Sequence, residues 1–288
     1  MNEYPLVTIV CLCYNQAPYV SEAIDSVQQQ TWKNIQLIIV DDASTDNSQE
    51  VITKRCALLN QVECIFLDTN RGNCRAFNLA LQKAKGEFVI DLAADDILEP
   101  ERVAAGVAYF LLHPGAGAQF SDAKIINKDG VFIRHHSDII PHDSVPQGDV
   151  YVDLIQRYFI CSPTLMFRKR VFDQLNGYDE ALFYEDFDFL IRSSRTECFG
   201  YLPEPLVSKR VHSTQMSRKQ RGWRSQQQWS TFLICEKILK LNRSSKEQQA
   251  LRARLVYEWK HAMARLNFPL AWSYLKLFWQ NRSLQYPD

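Results

Sequence analysis

The sequence predicts an α/β protein in which a mostly parallel β-sheet is flanked by helices and followed by a helical extension. Two observations lead to this prediction. Apolar, β-branched segments alternate with amphipathic segments over the first third of the chain, which is typical of a parallel sheet wrapped by helices. Near residue 217 the sequence pattern changes, and beyond it apolar residues recur at helical spacing among many basic residues. We therefore predict two parts, residues 1–217 and residues 218–288.

Four strands and four helices are predicted in the first third. The run at 35–40 is apolar and β-branched apart from Gln36, as expected of a buried strand. Pro18 suits the start of a helix, and Gly86 suits the end of one. In chain order, the predicted strands span 7–13, 35–40, 62–67 and 88–92, and the predicted helices span 18–30, 48–59, 76–85 and 101–112.

The remainder of the chain is less regular until its last part. Residues 127–133 read NKDGVFI and predict a β-hairpin with Asp129 and Gly130 in the turn. Residues 134–149 are polar and contain prolines, which predicts a mobile loop near a substrate cleft; its three histidines make a metal site the alternative. Beyond residue 217, the spacing of Trp and Leu residues predicts about three helices.

Composition restricts the class of protein. With 46% hydrophobic and 23% charged residues, the 288-residue chain has the composition of a globular protein. No segment reaches the roughly 20 apolar residues of a membrane-spanning helix. The start, MNEYPLVTIV, is unlike a signal peptide, so we expect a cytoplasmic location. The eight cysteines contain no C-x-x-C pair, which favours reduced structural thiols.

Charge is distributed unevenly between the two predicted parts. Residues 218–288 carry 14 Lys and Arg against 4 Asp and Glu, a net charge of +10, which leaves −10 for residues 1–217. Basic residues beside Trp and Phe suit the inner face of an anionic membrane, bound peripherally. We nevertheless expect this extension to pack on the first part or to form a homo-oligomer interface, and peripheral membrane contact is the alternative. The acidic first part and the lack of a recognition motif argue against nucleic acid.

Polar residues follow each of the four predicted strands. Asn15 follows the first, DDASTD at 41–46 the second, Asn70 the third, and Asp95-Asp96 the fourth. The carboxyl ends of parallel strands lie at one edge of a sheet, so we expect these residues to converge there. Adjacent carboxylates repel, and burial adds to the cost, so bound donors or a cation must offset them. For residues 44–47, capping of the next helix is the simpler explanation.

Six segments, in this order, resemble the family 2 glycosyltransferases. They read PLVTIVCLCYNQ (5–16), QTWKNIQLIIVDDASTDNS (30–48), NRGNCRAFN (70–78), KGEFVIDLAADD (85–96), NGYDEALFYEDFDFLIR (176–192) and KRVHSTQMS (209–217). The resemblance covers roughly residues 5–217. It implies the GT-A fold, with a Rossmann-like sheet, and an inverting, hexosyltransferase-like enzyme. Such an enzyme moves a sugar from a nucleotide diphosphate sugar, by default a UDP-sugar, to a hydroxyl of a glycan or lipid-linked acceptor, here in bacterial surface polysaccharide synthesis.

The resemblance also implies where the donor nucleotide binds. Asp41 and Asp42 are expected to contact the base and ribose, because a carboxylate accepts hydrogen bonds from both. An arginine of the family is replaced by Phe77, and two nearby arginines are candidates to act in its place. The full set of predicted nucleotide-binding residues is Tyr14, Asn15, Asp41, Asp42, Arg71, Arg75 and Asp96.

A divalent metal is implied at the end of the fourth strand. Asp95 falls on the second Asp of the family's D-x-D motif, whereas Ala93 replaces the first. Mn²⁺ or Mg²⁺ suits a site of one or two carboxylates plus substrate phosphate. His212 falls on a late histidine of the family and is the second candidate ligand, and Arg210 is a candidate partner of the diphosphate.

The catalytic base is expected in the segment YEDFDFLIR. Asp186 matches the family's catalytic aspartate, and Glu185 is the second candidate. Crowded carboxylates among aromatic residues have raised pKa values, which suits a general base. A stabilised helix N-terminus is compatible with this role. Asp188 is predicted to pair with Arg192 at i+4. The rival hypothesis, motivated by Ala93 and Phe77, is a catalytically weak nucleotide-sugar-binding or scaffold protein.

Overall fold

The chain forms two compact units in the computed structural model, which describes residues 4–59, 62–212 and 226–284. The sheet unit comprises the described residues up to 148 together with 160–178 and 197–212. The helical unit comprises 149–159, 179–196 and 226–284. The predicted boundary after residue 217 lies outside the described residues.

One nine-stranded sheet forms the centre of the sheet unit. Its strands, numbered in chain order, are β1 Val7–Cys13, β2 Ile35–Asp41, β3 Val62–Phe66, β4 Phe88–Ala93, β5 Ile97–Leu98, β6 Ala116–Ile126, β7 Phe132–His135, β8 Met166–Arg168 and β9 Cys198–Arg210. Their order in the sheet is β3-β2-β1-β4-β8-β6-β9-β5, and β7 pairs with β6. The pairs among β3, β2, β1 and β4 are parallel, whereas β8 pairs antiparallel with β4 and β6. This confirms the predicted α/β fold.

Helices cover the sheet and explain its apolar strands. All seven residues of β1 are buried, as expected of a strand covered on both faces. Its Val7, Ile9 and Cys11 share a core cluster with Ile24 and Val107, which belong to two of these helices. The helices of the sheet unit are α1 Val20–Gln28, α2 Ser48–Cys56, α3 Asn73–Leu81, α4 Arg102–Leu112 and α6 Lys169–Leu175.

The third helix departs from its predicted bounds. It was expected at 76–85 but starts at Asn73 and ends at Leu81. Its start follows Gly72, whose φ of 84° lies in a region that favours glycine. Gly86 is not a helix stop; a Cβ there would lie 2.4 Å from the backbone nitrogen of Thr8, so this glycine permits close contact with β1.

The predicted hairpin at 127–133 is confirmed. It joins β6 to β7, and the Asn127 side chain accepts hydrogen bonds from the amides of Asp129 and Val131, each at 2.9 Å. The predicted loop at 134–149 is partly ordered into elements, because β7 continues to His135 and the Ser137 hydroxyl donates to Asp122 at 2.7 Å.

The helical unit contains the three helices predicted for the end of the chain. Its helices are α5 Tyr151–Gln156, α7 Glu185–Ser193, α8 Gln226–Leu241, α9 Ser245–Ala264 and α10 Phe268–Ser283. The predicted pairing of Asp188 with Arg192 is confirmed at 2.7 Å, and Lys237 of α8 donates to the same buried carboxylate at 2.6 Å. Among the described helices, none has the length and apolar character needed to cross a membrane.

Candidate active site

The carboxyl ends of three adjacent parallel strands form the site. Cys13 at the end of β1 is in register with Asp41 at the end of β2, and Leu12 is in register with Ala93 at the end of β4. The pairing continues one residue further, because the Asp42 amide donates to the Cys13 carbonyl at 2.9 Å. Residues 14–15, 41–42 and 94–96 therefore leave the sheet at the same edge.

Asp41 has a buried carboxylate oxygen without a partner among the described residues. Its Oδ1 accepts hydrogen bonds from the Ser44 amide at 2.9 Å and from the Gln49 side chain at 2.8 Å. Its Oδ2 is buried and has no hydrogen bond in the described part of the chain. A buried, unsatisfied oxygen costs free energy, so it calls for an explanation. A donor group on a bound ligand is the explanation that suits the predicted role of Asp41.

Asp42 orders the loop before α3. Its Oδ1 accepts from the Arg71 amide at 2.7 Å, and its Oδ2 accepts from the Gly72 amide at 2.8 Å. Each oxygen of the Asp42 carboxylate thus accepts one backbone hydrogen bond and has a second lone pair that can accept another. Arg71 and Arg75, which flank the start of α3, are both exposed.

Asn15 fixes the loop between β2 and α2. It adopts a left-handed conformation with φ 55°, and its Oδ1 accepts from the Thr45 amide at 2.7 Å. Its own amide donates to the Ser44 hydroxyl at 2.8 Å. The neighbouring Tyr14 is exposed. Asp46 accepts from the Ser48 amide at 2.9 Å, whereas the N-cap residue Asn47 makes no side-chain capping hydrogen bond, so the predicted capping by 44–47 is not made by the N-cap residue.

Asp95 and His212 meet at the edge of the sheet although they are 117 positions apart in the sequence. His212 Nε2 lies 2.9 Å from Asp95 Oδ2. β5 follows Asp95 and pairs antiparallel with β9, which ends two residues before His212, so strand pairing brings the two residues together. Their side chains are only 14% and 4% exposed, respectively.

Asp96, the residue after Asp95, is buried. Its Oδ1 accepts a hydrogen bond from the backbone amide of Arg210 at 2.8 Å. Burial, with the nearby Asp95 charge, raises the pKa of Asp96 to about 8. The Asp96 carboxylate therefore connects the end of β4 to β9. This contact indicates a positioning role in addition to its predicted contact with nucleotide.

The buried Arg210 side chain organises the same corner. Its Nε donates to the Asp95 carbonyl at 3.0 Å, one Nη donates to the Lys128 carbonyl at 3.1 Å, and the other pairs with Glu22 of α1. The guanidinium lies 4.7 Å from the Tyr19 ring centroid, and the Tyr19 ring lies 5.2 Å from that of His212.

These contacts hold the Arg210 side chain against the Asp95 backbone and beside the Tyr19 ring, which in turn lies next to His212. The predicted contact of Arg210 with the diphosphate stays a prediction. Sequence reasoning missed Glu22 and Tyr19, because no local signal connects residues separated by 188 positions.

The residues present fit a divalent metal with few protein ligands. Among the described residues, no group of three or more His, Cys, Asp or Glu side chains could hold a metal. Asp95 and His212 together offer one carboxylate and one imidazole nitrogen. Mg²⁺ and Mn²⁺ keep several waters and are commonly held by one or two protein groups plus substrate phosphates. The Ala93 methyl group adds no ligand.

The predicted base lies in the helical unit. Asp186 and Glu185 occupy the first turn of α7 and are half-buried, whereas Asp188 in the same turn is fully buried. Carboxylates in the first turn interact favourably with the helix dipole. The rings of Tyr184 and Phe187 lie 5.5 Å apart beside them.

Phe77 has a structural role in this chain. It is fully buried in α3, and its ring lies 4.5 Å from that of Tyr178 and 5.1 Å from that of Phe172. The aromatic cluster explains why a large apolar residue is suited to this position. Phe77 contributes no charge, so any cationic contact with a diphosphate must come from other residues.

Known proteins resemble this chain in sequence and in fold. Residues 8–175 match the model of the family described as glycosyl transferase family 2. A glycosyltransferase of Rickettsia bellii is 28% identical over 237 residues, which are 80% of this chain and 34% of the relative. The chain thus spans about a third of the length of that relative.

Two solved structures share the fold. TarS of S. aureus, residues 1–349 in complex with UDP-GlcNAc, has a TM-score of 0.69 at 19% identity. This match covers 87% of this chain and 71% of the TarS chain. The mannosyltransferase PcManGT of Pyrobaculum calidifontis, in complex with GDP-Man and Mn²⁺, has a TM-score of 0.66 at 16% identity. This match covers 98% of this chain and 83% of the PcManGT chain. The predicted GT-A fold is confirmed by these likenesses.

Proposed function

The chain belongs to glycosyl transferase family 2, and from the geometry of its site we propose that it transfers a sugar from a nucleoside diphosphate donor to a hydroxyl group with inversion. The observation that carries the proposal is one sheet edge: β2 and β4, on either side of β1, end there at buried Asp41 and shortly before Asp95, and His212 after β9 meets Asp95. Ligands of α/β sheets bind at such an edge.

The nucleoside binds at the ends of β1 and β2 in this proposal. The unpartnered Oδ2 of Asp41 accepts a hydrogen bond from the base or ribose, and the exposed ring of Tyr14 covers the nucleoside. Asn15 and Asp42 hold the two loops that flank this position. UDP is the proposed nucleotide, because the family resemblance favours it and the similar TarS structure contains UDP-GlcNAc.

The diphosphate binds beside Asp95 and His212. These two residues would hold a divalent metal, Mn²⁺ or Mg²⁺, which when bound neutralises charge on the leaving diphosphate. Asp96 and Arg210 keep the two ligands in position through the backbone contacts described above. Arg71 and Arg75 are exposed near the start of α3 and supply further positive charge for the phosphates.

Asp186 is the proposed general base, with Glu185 as the second candidate. Its carboxylate takes the proton of the acceptor hydroxyl as that oxygen bonds to the anomeric carbon. The bond between the anomeric carbon and the diphosphate oxygen breaks at the same time, so the configuration inverts and the nucleoside diphosphate leaves. The acceptor is a glycan or a lipid-linked sugar of a surface polysaccharide, which would bring the enzyme to the inner face of the membrane.

A donor-turnover assay tests the proposal. The chain is incubated with UDP-GlcNAc, UDP-glucose or GDP-mannose, Mn²⁺ and simple glycans, and the released nucleoside diphosphate is measured. Asp186→Asn should lower turnover about 100-fold or more, since general bases contribute about 10²–10⁴, and should leave nucleotide affinity unchanged. Asp173→Asn is the control, because Asp173 is exposed and pairs only with Lys169 among the contacts described.

Two outcomes would count against parts of the proposal. Full turnover by Asp186→Asn would remove this residue as the base. Tight nucleotide binding by the unaltered chain, without turnover of any donor, would favour the rival nucleotide-sugar-binding protein.

A further inference from the structure

Helix α10 exposes large aromatic side chains on the side opposite its buried face. Its inward residues recur at helical spacing: Leu270, Ala271, Tyr274, Leu277 and Asn281. Phe268, Trp272 and Trp279 are 55%, 59% and 55% exposed. At about 100° per residue, these three lie within about 40° of one another around the helix axis. A helix at the surface of a globular protein normally presents polar residues on this side.

Two cations flank the exposed aromatic rings. Lys276 Nζ lies 5.7 Å from the centre of the Trp272 ring, and the Arg282 guanidinium lies 5.4 Å from that of Trp279. The 16 residues of α10 include no Asp or Glu. We name Phe268, Trp272, Lys276, Trp279 and Arg282 the aromatic face of α10.

From this arrangement we propose that the aromatic face of α10 binds a membrane surface that contains anionic phospholipid. Trp and Phe enter the boundary between headgroups and acyl chains, where an amphipathic ring is favoured. Lys276 and Arg282 then meet the lipid phosphates, and their long stems let the charges reach the headgroups. The surrounding charge agrees, because residues 226–284 carry 10 basic and 3 acidic residues.

Charge favours a lipid surface over a second copy of this chain. In a two-fold symmetric dimer the same face meets itself. The cations of one α10 would then face those of the other, with no Asp or Glu on this helix to offset them. An anionic surface meets the same cations with the opposite sign. The proposal does not depend on the proposed transfer reaction.

Vesicle flotation of the full chain tests the proposal. Vesicles of phosphatidylcholine alone are compared with vesicles of equal parts phosphatidylcholine and phosphatidylglycerol. The chain should float with the anionic vesicles at low salt and should be released in about 1 M salt, where the screening length is about 3 Å. The double variant Lys276→Gln/Arg282→Gln should bind about 30-fold more weakly, since each basic residue near such a surface contributes about five-fold.

Aromatic variants separate this face from exposed aromatic residues in general. Trp272→Ser/Trp279→Ser should lose binding at least ten-fold with unchanged circular dichroism, because both side chains are exposed. Tyr257→Ser is the matched control on α9, because Tyr257 is 56% exposed, and this variant should bind like the unaltered chain.

Brominated lipids provide a second measurement on the folded chain. They should quench the tryptophan fluorescence of the unaltered chain more than that of the double tryptophan variant. The proposal is overturned if the chain ignores anionic vesicles or if the tryptophan variant binds them normally. It is also overturned if sedimentation without vesicles shows a dimer that Trp272→Ser/Trp279→Ser dissociates, because a second copy would then occupy this face.

Discussion

Replacing Arg210 with Met should weaken the metal-dependent part of nucleotide binding while leaving the chain folded. The guanidinium makes two well-formed hydrogen bonds to carbonyls, at 3.0 Å to Asp95 and 3.1 Å to Lys128. Charged hydrogen bonds of this kind contribute about 1.5 kcal/mol or more each. The ring contact with Tyr19 contributes about 1 kcal/mol. The bond to Glu22 contributes little, since the Glu22 side chain is 58% exposed.

The expected loss in the free energy of unfolding is therefore about 4 kcal/mol. Domains are commonly stable by about 5–15 kcal/mol, so the variant should remain folded. Its effect on the site is separate. Residues that orient metal ligands commonly change metal affinity by about 10–100-fold when they are replaced. We expect a loss of that size in UDP affinity with Mn²⁺ present.

Calorimetric titration of UDP, with Mn²⁺ and with EDTA, measures this effect. Arg210→Met should lose affinity with Mn²⁺ and should match the unaltered chain in EDTA, because the arginine acts through Asp95 and His212. Arg210→Lys keeps the charge and should recover part of the loss. The control is Arg170→Met, because Arg170 pairs with buried Glu197 at 2.6 Å in the same unit and its loss should lower stability alone.

Two results would refute the positioning role. An equal loss of affinity in Mn²⁺ and in EDTA would mean that Arg210 touches the diphosphate directly. An equal loss in Arg170→Met would mean that general destabilisation, and not the position of Asp95, explains the effect.

Three further changes test other parts of the structure. Asp41→Asn should weaken UDP binding about ten-fold in calorimetry, because a charged acceptor is lost. The melting temperature should not change, because the amide oxygen of Asn still accepts the hydrogen bond from the Ser44 amide. Unchanged affinity would exclude Asp41 from the nucleotide site. Asp188→Asn should lower the free energy of unfolding in urea by about 3 kcal/mol, since a buried carboxylate with two cationic partners is removed; a change below about 0.5 kcal/mol would contradict this. Gly72→Ala should lower the free energy of unfolding by about 1–3 kcal/mol in the same urea titration, because φ at this residue is 84°. The added methyl group meets no neighbour, so the cost comes from the backbone conformation alone. An equally stable variant would show that the loop relaxes freely.

The parallel strands were the most predictable part of the fold. β1 and β2 share a core cluster with α1 and α2 and are also contacted by α3, so their residues form largely apolar runs, interrupted by Thr8 and Gln36, that stand out in the sequence. The convergence of Asn15, Asp41 and Asp95 at one edge follows from parallel pairing alone. The start of α3 was less predictable, because it depends on the distant Asp42 carboxylate, which holds the amides of residues 71 and 72.

The network around Arg210 could not be read from the sequence. Its partners come from α1, from the turn after β4 and from the β6–β7 hairpin, which only tertiary packing brings together. From the sequence, Arg210 is predicted to contact phosphate only because it lies two residues before His212. In the structure its side chain donates to the carbonyls of Asp95 and Lys128 and pairs with Glu22, while the predicted contact with the diphosphate stays a prediction. Local patterns identify residue types suited to a site, whereas their division into ligands and supporting residues depends on distant contacts.

Nucleotide binding to the unaltered chain is the most direct test of the central claim that the sheet edge is a metal-assisted donor site. UDP, GDP and dTDP are titrated in turn by calorimetry, each with Mn²⁺ and with EDTA, and Asp95→Asn is titrated beside the unaltered chain. We expect tight binding of one nucleotide, UDP, that weakens at least ten-fold in EDTA and equally in Asp95→Asn with Mn²⁺. Failure of all three nucleotides to bind would contradict the account. A nucleotide affinity that changes neither with EDTA nor in Asp95→Asn would show that no metal takes part in binding.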